Sequence, residues 1–185
     1  DTVQLQTMSL PQLVLEGDVQ KVRYALNELS TDEIDRQRLK GFTALMLACD
    51  QGHTEIVNLL LEKELNVNVQ NKNNHTALIL ACDKGHREIV QLLLMQRKDL
   101  DIHLRGRNNN HTALLSACNQ RYTEIVKLLA KALKVDITLP EPEYTPQEYH
   151  LFETSLIDHN EITKTTILNT TIIVIQLYFN HCSIR

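Results

Sequence analysis

Three stretches of the chain carry one pattern of apolar and polar positions: TALMLACDQGHTEIVNLLL from Thr43, TALILACDKGHREIVQLLL from Thr76 and TALLSACNQRYTEIVKLLA from Thr112. The threonines are 33 and 36 residues apart, so the third copy follows an insertion of three, and a further step of 33 lands on Thr145-Pro146, where a fourth copy is expected. Each threonine can cap a short helix such as 44–51, its hydroxyl accepting from one of the amides that a helix start leaves unpaired. Gly52 and Gly85 then stop the helix, because glycine takes the left-handed conformation that lets the chain reverse. The second helix carries Ile56, Val57, Leu59, Leu60 and Leu61 as a wide apolar stripe. A polar stretch with Val-Asn-Val alternation over 67–69 leads to Asn71–Asn74, which suits a tight turn. One such hairpin of helices cannot bury its own stripe, whereas stacked hairpins share a core, so stacking is required for folding.

This combination resembles the ankyrin repeat, a unit of about 33 residues with a turn and two antiparallel helices. The resemblance rests on TAL..AC..GH.EIV.LLL and covers about residues 8 to 146. Upstream, Leu13 to Leu26 looks like the capping first repeat of such arrays, with Gly17-Asp18 standing where Gly52-His53 stands later. The fold class implied is all-α: an ankyrin-repeat solenoid of stacked helix-turn-helix units joined by β-hairpin-like turns. Its expected divisions are a capping repeat at 1–40, repeats at 41–73, 74–109 (with the insertion) and 110–143, a degenerate cap or linker at 144–164, and a β-branched apolar tail at 165–185. The sequence departs from the family in two ways. Thr-Ala-Leu replaces the usual Thr-Pro-Leu-His start, removing a threonine to histidine hydrogen bond, and Arg121-Tyr122 replaces the third Gly-His, so a different path is expected for that turn.

What the resemblance implies for function is binding of a protein partner without catalysis, as an adaptor or scaffold. The partner would lie along the concave groove formed by the turn tips and the exposed sides of the first helices. By motif position the candidate contacts are Phe42, His75 and His111 before the threonines, Lys72, Asn73, Asn108 and Asn109 at the tips, and Asp50, Gln51, Asp83, Lys84, Asn119 and Gln120 on the helices. Phe42 is the favoured anchor, since a tip aromatic buries much area on binding. The alternative is a targeting segment of a larger enzyme, channel or host-directed effector whose active domain lies outside this chain.

Composition narrows this further. With 43% hydrophobic and 23% charged residues the chain is an ordinary globular protein, and a net charge of −4 gives no general pull toward nucleic acid. Four widely spaced cysteines do not make a disulfide-stapled domain, and with no charged-then-apolar leader an intracellular, cytoplasmic monomer is expected. Cys49, Cys82 and Cys118 occupy one position in successive repeats, so they should stand a helix-packing distance of roughly 8–10 Å apart, too far to share a metal ion or a disulfide. No cofactor or metal is expected, and His53 and His86 are assigned to stabilising the turns. No phosphate-cradling glycine loop, HExxH or nucleophile elbow is present, which leaves an enzyme reading without a motif. The insertion carries Arg97, Lys98, Arg105 and Arg107 against Asp99 and Asp101, either a basic finger or, the favoured reading, a solvated charge run.

The fourth copy fades after Thr145-Pro146. Residues 140–162 hold six acids and no Lys or Arg, which favours a polar cap over a linker. Residues 165–175 hold nine β-branched residues in eleven positions, a strand-like composition. Its apolar run is too short and too interrupted to cross a membrane, which needs about 20 apolar residues.

Overall fold

The structure, a computed structural model, describes residues 8–106 and 112–134. Residues 8–129 belong to one compact unit, and a second begins at Ala130 within the last helix. The cap and tail expected at 144–164 and 165–185 lie outside the described residues.

Among the described residues nine helices follow one another: α1 (Leu10–Glu16), α2 (Val19–Glu28), α3 (Thr31–Arg36), α4 (Ala44–Gln51), α5 (Thr54–Leu61), α6 (Ala77–Lys84), α7 (Arg87–Gln96), α8 (Ala113–Asn119) and α9 (Thr123–Ala132). No strand occurs among the described residues. Except for α3, they pair as first and second helices of successive repeats. The first helices pack in file, α1 on α4, α4 on α6 and α6 on α8, and the second helices do likewise, α2 on α5 and α5 on α7. This is the in-register stack that the apolar pattern requires.

Each first helix starts as its threonine dictates. Thr43, Thr76 and Thr112 sit in extended backbone, and their hydroxyls accept from the amides of Met46, Ile79 and Leu115 at 3.2 Å. The middle first helices lie between neighbours on both sides, so Ala44 through Cys49 and Ala77 through Cys82 are buried without a break. The second helices bury one stripe only: Ile56, Val57, Leu59, Leu60 and Leu61 on α5, Ile89, Val90 and Leu93 on α7. At about 1.5–3 kcal/mol for each fully buried Leu or Ile, these shared rows supply the drive for stacking.

The third interhelical turn corrects one expectation. It follows the same path as the other two: Tyr122 donates to the Ala117 carbonyl at 2.9 Å, as His53 does to Ala48 and His86 to Ala81 at 3.0 Å. Arg121 achieves this by adopting the left-handed conformation itself, at φ 61°, where Gly52 and Gly85 stand at φ 78°. Being exposed, it carries its side chain into solvent.

The insertion is absorbed mostly by helix. α7 is 10 residues long where α5 is 8, and the side-chain turns that follow, Asn68 N–H to Asn66 Oδ1 and His103 N–H to Asp101 Oδ1, repeat after the two added residues. The third inserted residue therefore falls between Asp101 and Thr112. Nothing in the repeat predicts α3, an extra turn that closes the first unit. Its own sequence does: Ser30 and Glu33 form a capping box, with Ser30 N–H donating to the Glu33 carboxylate at 2.9 Å.

Candidate interaction surface

Between repeats the chain forms tight hairpins. Leu39 and Phe42 exchange both backbone hydrogen bonds at 3.0 Å across Lys40 (φ 54°) and Gly41 (φ 89°), the two positive φ angles of a type I′ turn. At the second hairpin Asn71 donates to the His75 carbonyl, its side-chain oxygen accepts from the amides of Asn73 and His75, and Asn74 closes the loop at φ 57°. Asparagine tolerates that conformation better than other residues with a side chain.

Successive hairpins touch. The Lys72 side chain lies along Gly41, its Cγ 3.3 Å from where a Cβ on that glycine would stand. Gln70 Nε2 donates to the carbonyls of Asn74 and Arg105 at 2.8 and 2.9 Å, tying the second hairpin to the segment that leads into the third. Phe42 and His75, directly before their threonines, are half-buried, while Lys72 and Asn73 are exposed at the tip. Asn108, Asn109 and His111 lie outside the described residues.

At the other end of the first helices a polar row runs from repeat to repeat. Asp50 accepts from Gln51 Nε2 at 2.9 Å and lies 3.8 Å from Lys84 Nζ of the next repeat. Gln120 Nε2 reaches back to the Asp83 carboxylate at 3.3 Å. Gln51, Lys84, Asn119 and Gln120 are exposed, and Asp50 and Asp83 are half-buried. These ties leave the chain of polar groups facing water along the whole row.

The histidines do something other than hold their own turns. Each ring covers the glycine of the preceding repeat: His53 packs on Gly17 and His86 on Gly52, and Tyr122 takes the same place on Gly85. A Cβ added to Gly52 would meet the His86 ring at 2.6 Å, and one on Gly85 the Tyr122 ring at 2.5 Å. His86 Nε2 also lies 3.2 Å from the Asp50 carbonyl, a hydrogen bond that places a proton on that nitrogen. The rings thus join neighbouring repeats.

Cys49, Cys82 and Cys118 are free and buried, and burial pushes the thiols of Cys49 and Cys82 far above the ordinary range and that of Cys118 up to about 12. Thiolates, the reactive form, are suppressed there. Among the described residues no cluster of His, Cys, Asp and Glu is arranged to hold a metal ion, and no helix is long and apolar enough to cross a membrane.

Of the inserted charges, Lys98 and Asp101 are exposed and Arg107 lies outside the described residues, but Arg97 is neither part of a finger nor solvated. Arg97 folds back: Nη2 donates to the Leu65 carbonyl at 2.7 Å and to Asp99 at 2.8 Å, Nε to Asp99 at 2.9 Å and Nη1 to the Lys63 carbonyl at 3.4 Å. It closes one side of a cleft of about 600 Å³ lined by Asp35, Glu62, Glu64 and Asn66 among others. Beside it Asn68 bridges repeats, donating to the Asp99 carbonyl and accepting from the Asp101 amide. Sequence reasoning missed this role because a charge run does not reveal which carbonyls it will meet.

Comparison with known proteins agrees with this architecture. A family model described as "Ankyrin repeats (3 copies)" matches residues 11–106 and again 67–141. A search of curated proteins finds no match.

Proposed function

Because the chain belongs to the ankyrin-repeat family, a family of protein-interaction modules, we propose that it is a non-catalytic adaptor or scaffold. A partner protein binds along the surface made by its hairpins and the exposed ends of its first helices. In this reading 1–40 caps the array, 41–73, 74–109 and 110–143 are its repeats, and the contacts are the thirteen side chains singled out in the sequence, from Phe42 at the first hairpin to Gln120 on α8. The observation that carries the proposal is the contrast between rows. Buried positions repeat in all three copies, as in Ala48, Ala81 and Ala117 or Cys49, Cys82 and Cys118, whereas the half-buried and exposed positions beside them each change in one copy: Asp50, Asp83 and Asn119, or Gln51, Lys84 and Gln120. Framework held constant beneath a varied surface is what recognition by a repeat array needs.

The test is site-specific photo-cross-linking. A photoreactive residue at Phe42 or at Asp83 is expected to capture the same protein in cells, while one at Gln91, exposed on α7, captures none. Equal capture from Gln91 would contradict the assignment of the surface.

A further inference from the structure

The hairpins differ in charge from the rest of the array. Every formally charged side chain on the hairpins at 37–42 and 70–75, and on 102–106 leading into the third, is a cation: Arg38 and Lys40, then Lys72, then Arg105. Arg38, Lys40 and Lys72 are exposed, and among the described residues none of these three is ion-paired to a carboxylate. The other ends of the first helices carry Asp50 and Asp83, about 10 Å further along at 1.5 Å per residue. The strip of positive charge is therefore narrow, and it lies on a protein of net charge −4.

Geometry makes the strip continuous. The Lys72 stem is laid across Gly41, the residue that follows Lys40 in the preceding hairpin, and Gln70 binds the Arg105 carbonyl. Like charges on adjoining tips repel, a cost that an anionic ligand removes. Pinning the Lys72 stem also reduces the side-chain entropy lost on binding. Neighbouring repeats stand about 8–10 Å apart, and a segment in the extended polyproline-II conformation turns once in three residues at about 3.1 Å each, so side chains three residues apart share one face at about the spacing of one repeat.

We propose that this hairpin edge receives an extended acidic segment of another protein, with carboxylates three residues apart seated on Lys40 and Lys72 and with Arg38 flanking them. Phe42, half-buried next to Lys40, supplies an apolar contact. A broad polyanion such as duplex nucleic acid fits less well, because its further phosphates would approach Asp50 and Asp83. The inference rests on the interaction surface proposed above and specifies its partner's chemistry.

The experiment uses the full chain and fluorescence anisotropy. Its probes are a labelled peptide with glutamate at every third position, a peptide of the same composition with its glutamates contiguous, and a DNA duplex. The spaced peptide is expected to bind at least about threefold tighter than the contiguous one and to weaken as salt shortens the screening length. The double substitution Lys40→Gln, Lys72→Gln should weaken it about tenfold, with Lys131→Gln as a control that changes nothing and circular dichroism confirming the fold. Equal binding of the two peptides, tighter binding of DNA, or indifference to the double substitution would each overturn the proposal. If cross-links at Phe42 and Asp83 persist while the peptide ignores Lys40 and Lys72, the surface stands and only the partner's chemistry falls.

Discussion

Arg121 holds a left-handed backbone at φ 61° with its side chain in solvent, a conformation that costs a residue with a Cβ about 1–2 kcal/mol. Arg121→Gly removes that cost and restores the residue found at 52 and 85, so it should raise stability by about 1 kcal/mol after the added freedom of the unfolded chain is deducted. Urea denaturation checks this as a higher midpoint at unchanged slope. The reverse change at Gly52 meets two obstacles, the positive φ and the His86 ring 2.6 Å from the new Cβ. Gly52→Ala should therefore destabilise by about 2 kcal/mol or more, and by only about 1 kcal/mol in a His86→Ala background where the ring is gone. Equal losses in the two backgrounds would remove the ring contact from the account. The buried thiols give a pH dependence of definite sign. Their folded pKa values are raised by burial, to about 12 for Cys118, whereas an unfolded thiol ionises from about 8.5. Above that pH the unfolded chain binds fewer protons than the folded one, so this contribution to stability, complete below about pH 8.5, declines as pH rises toward the folded value. Denaturation midpoints measured between pH 8 and 10 should fall, and fall less in Cys82→Ala.

At the scale of elements, Arg97 ties two repeats together, reaching two carbonyls of the loop after α5 and the carboxylate of Asp99. Charged hydrogen bonds contribute about 1.5–3 kcal/mol each when both partners are desolvated, but Asp99 is more than half exposed. Arg97→Met is thus expected to cost about 2 kcal/mol, drawn mainly from the two carbonyl bonds. Hydrogen exchange should localise the loss to residues 62–66 and 97–101. These elements also show where legibility in sequence ends. The first and second helices, their caps and their buried stripes follow from Thr, Gly and the apolar spacing alone, because those signals act within one repeat. The roles of His53, His86 and Arg97 depend on atoms 30 or more residues away in the neighbouring repeat, which no local pattern encodes. The common path of the third turn is not legible in sequence, because the lack of a glycine raises the cost of the left-handed conformation without forbidding it, and Arg121 adopts it. Of the candidate surface, the rows are legible from repeat position, but Arg38 and Lys40 are not. Their shared edge with Lys72 exists only once the hairpins are stacked.

At the scale of the molecule, the unit spanning residues 8–129 has no single centre: each first helix is buried by its neighbours, and each ring closes on the repeat before it. Stability in such an array is a sum of units and of the interfaces between them. Leu78→Ala, in the middle first helix, should consequently cost about 2–5 kcal/mol, and that loss should be felt by the repeats on both sides in hydrogen exchange. The same stacking sets the exposed rows on which the functional proposals stand. Its most direct test is distance between equivalent surface sites, with spin labels placed in pairs at Gln51, Lys84 and Gln120, all exposed. Repeats stacked in register predict about 10 Å between the backbone positions 51 and 84, and about twice that between 51 and 120. A 51 to 120 distance equal to or shorter than that from 51 to 84 would mean that the helices close on one another instead of forming rows, and would contradict the account.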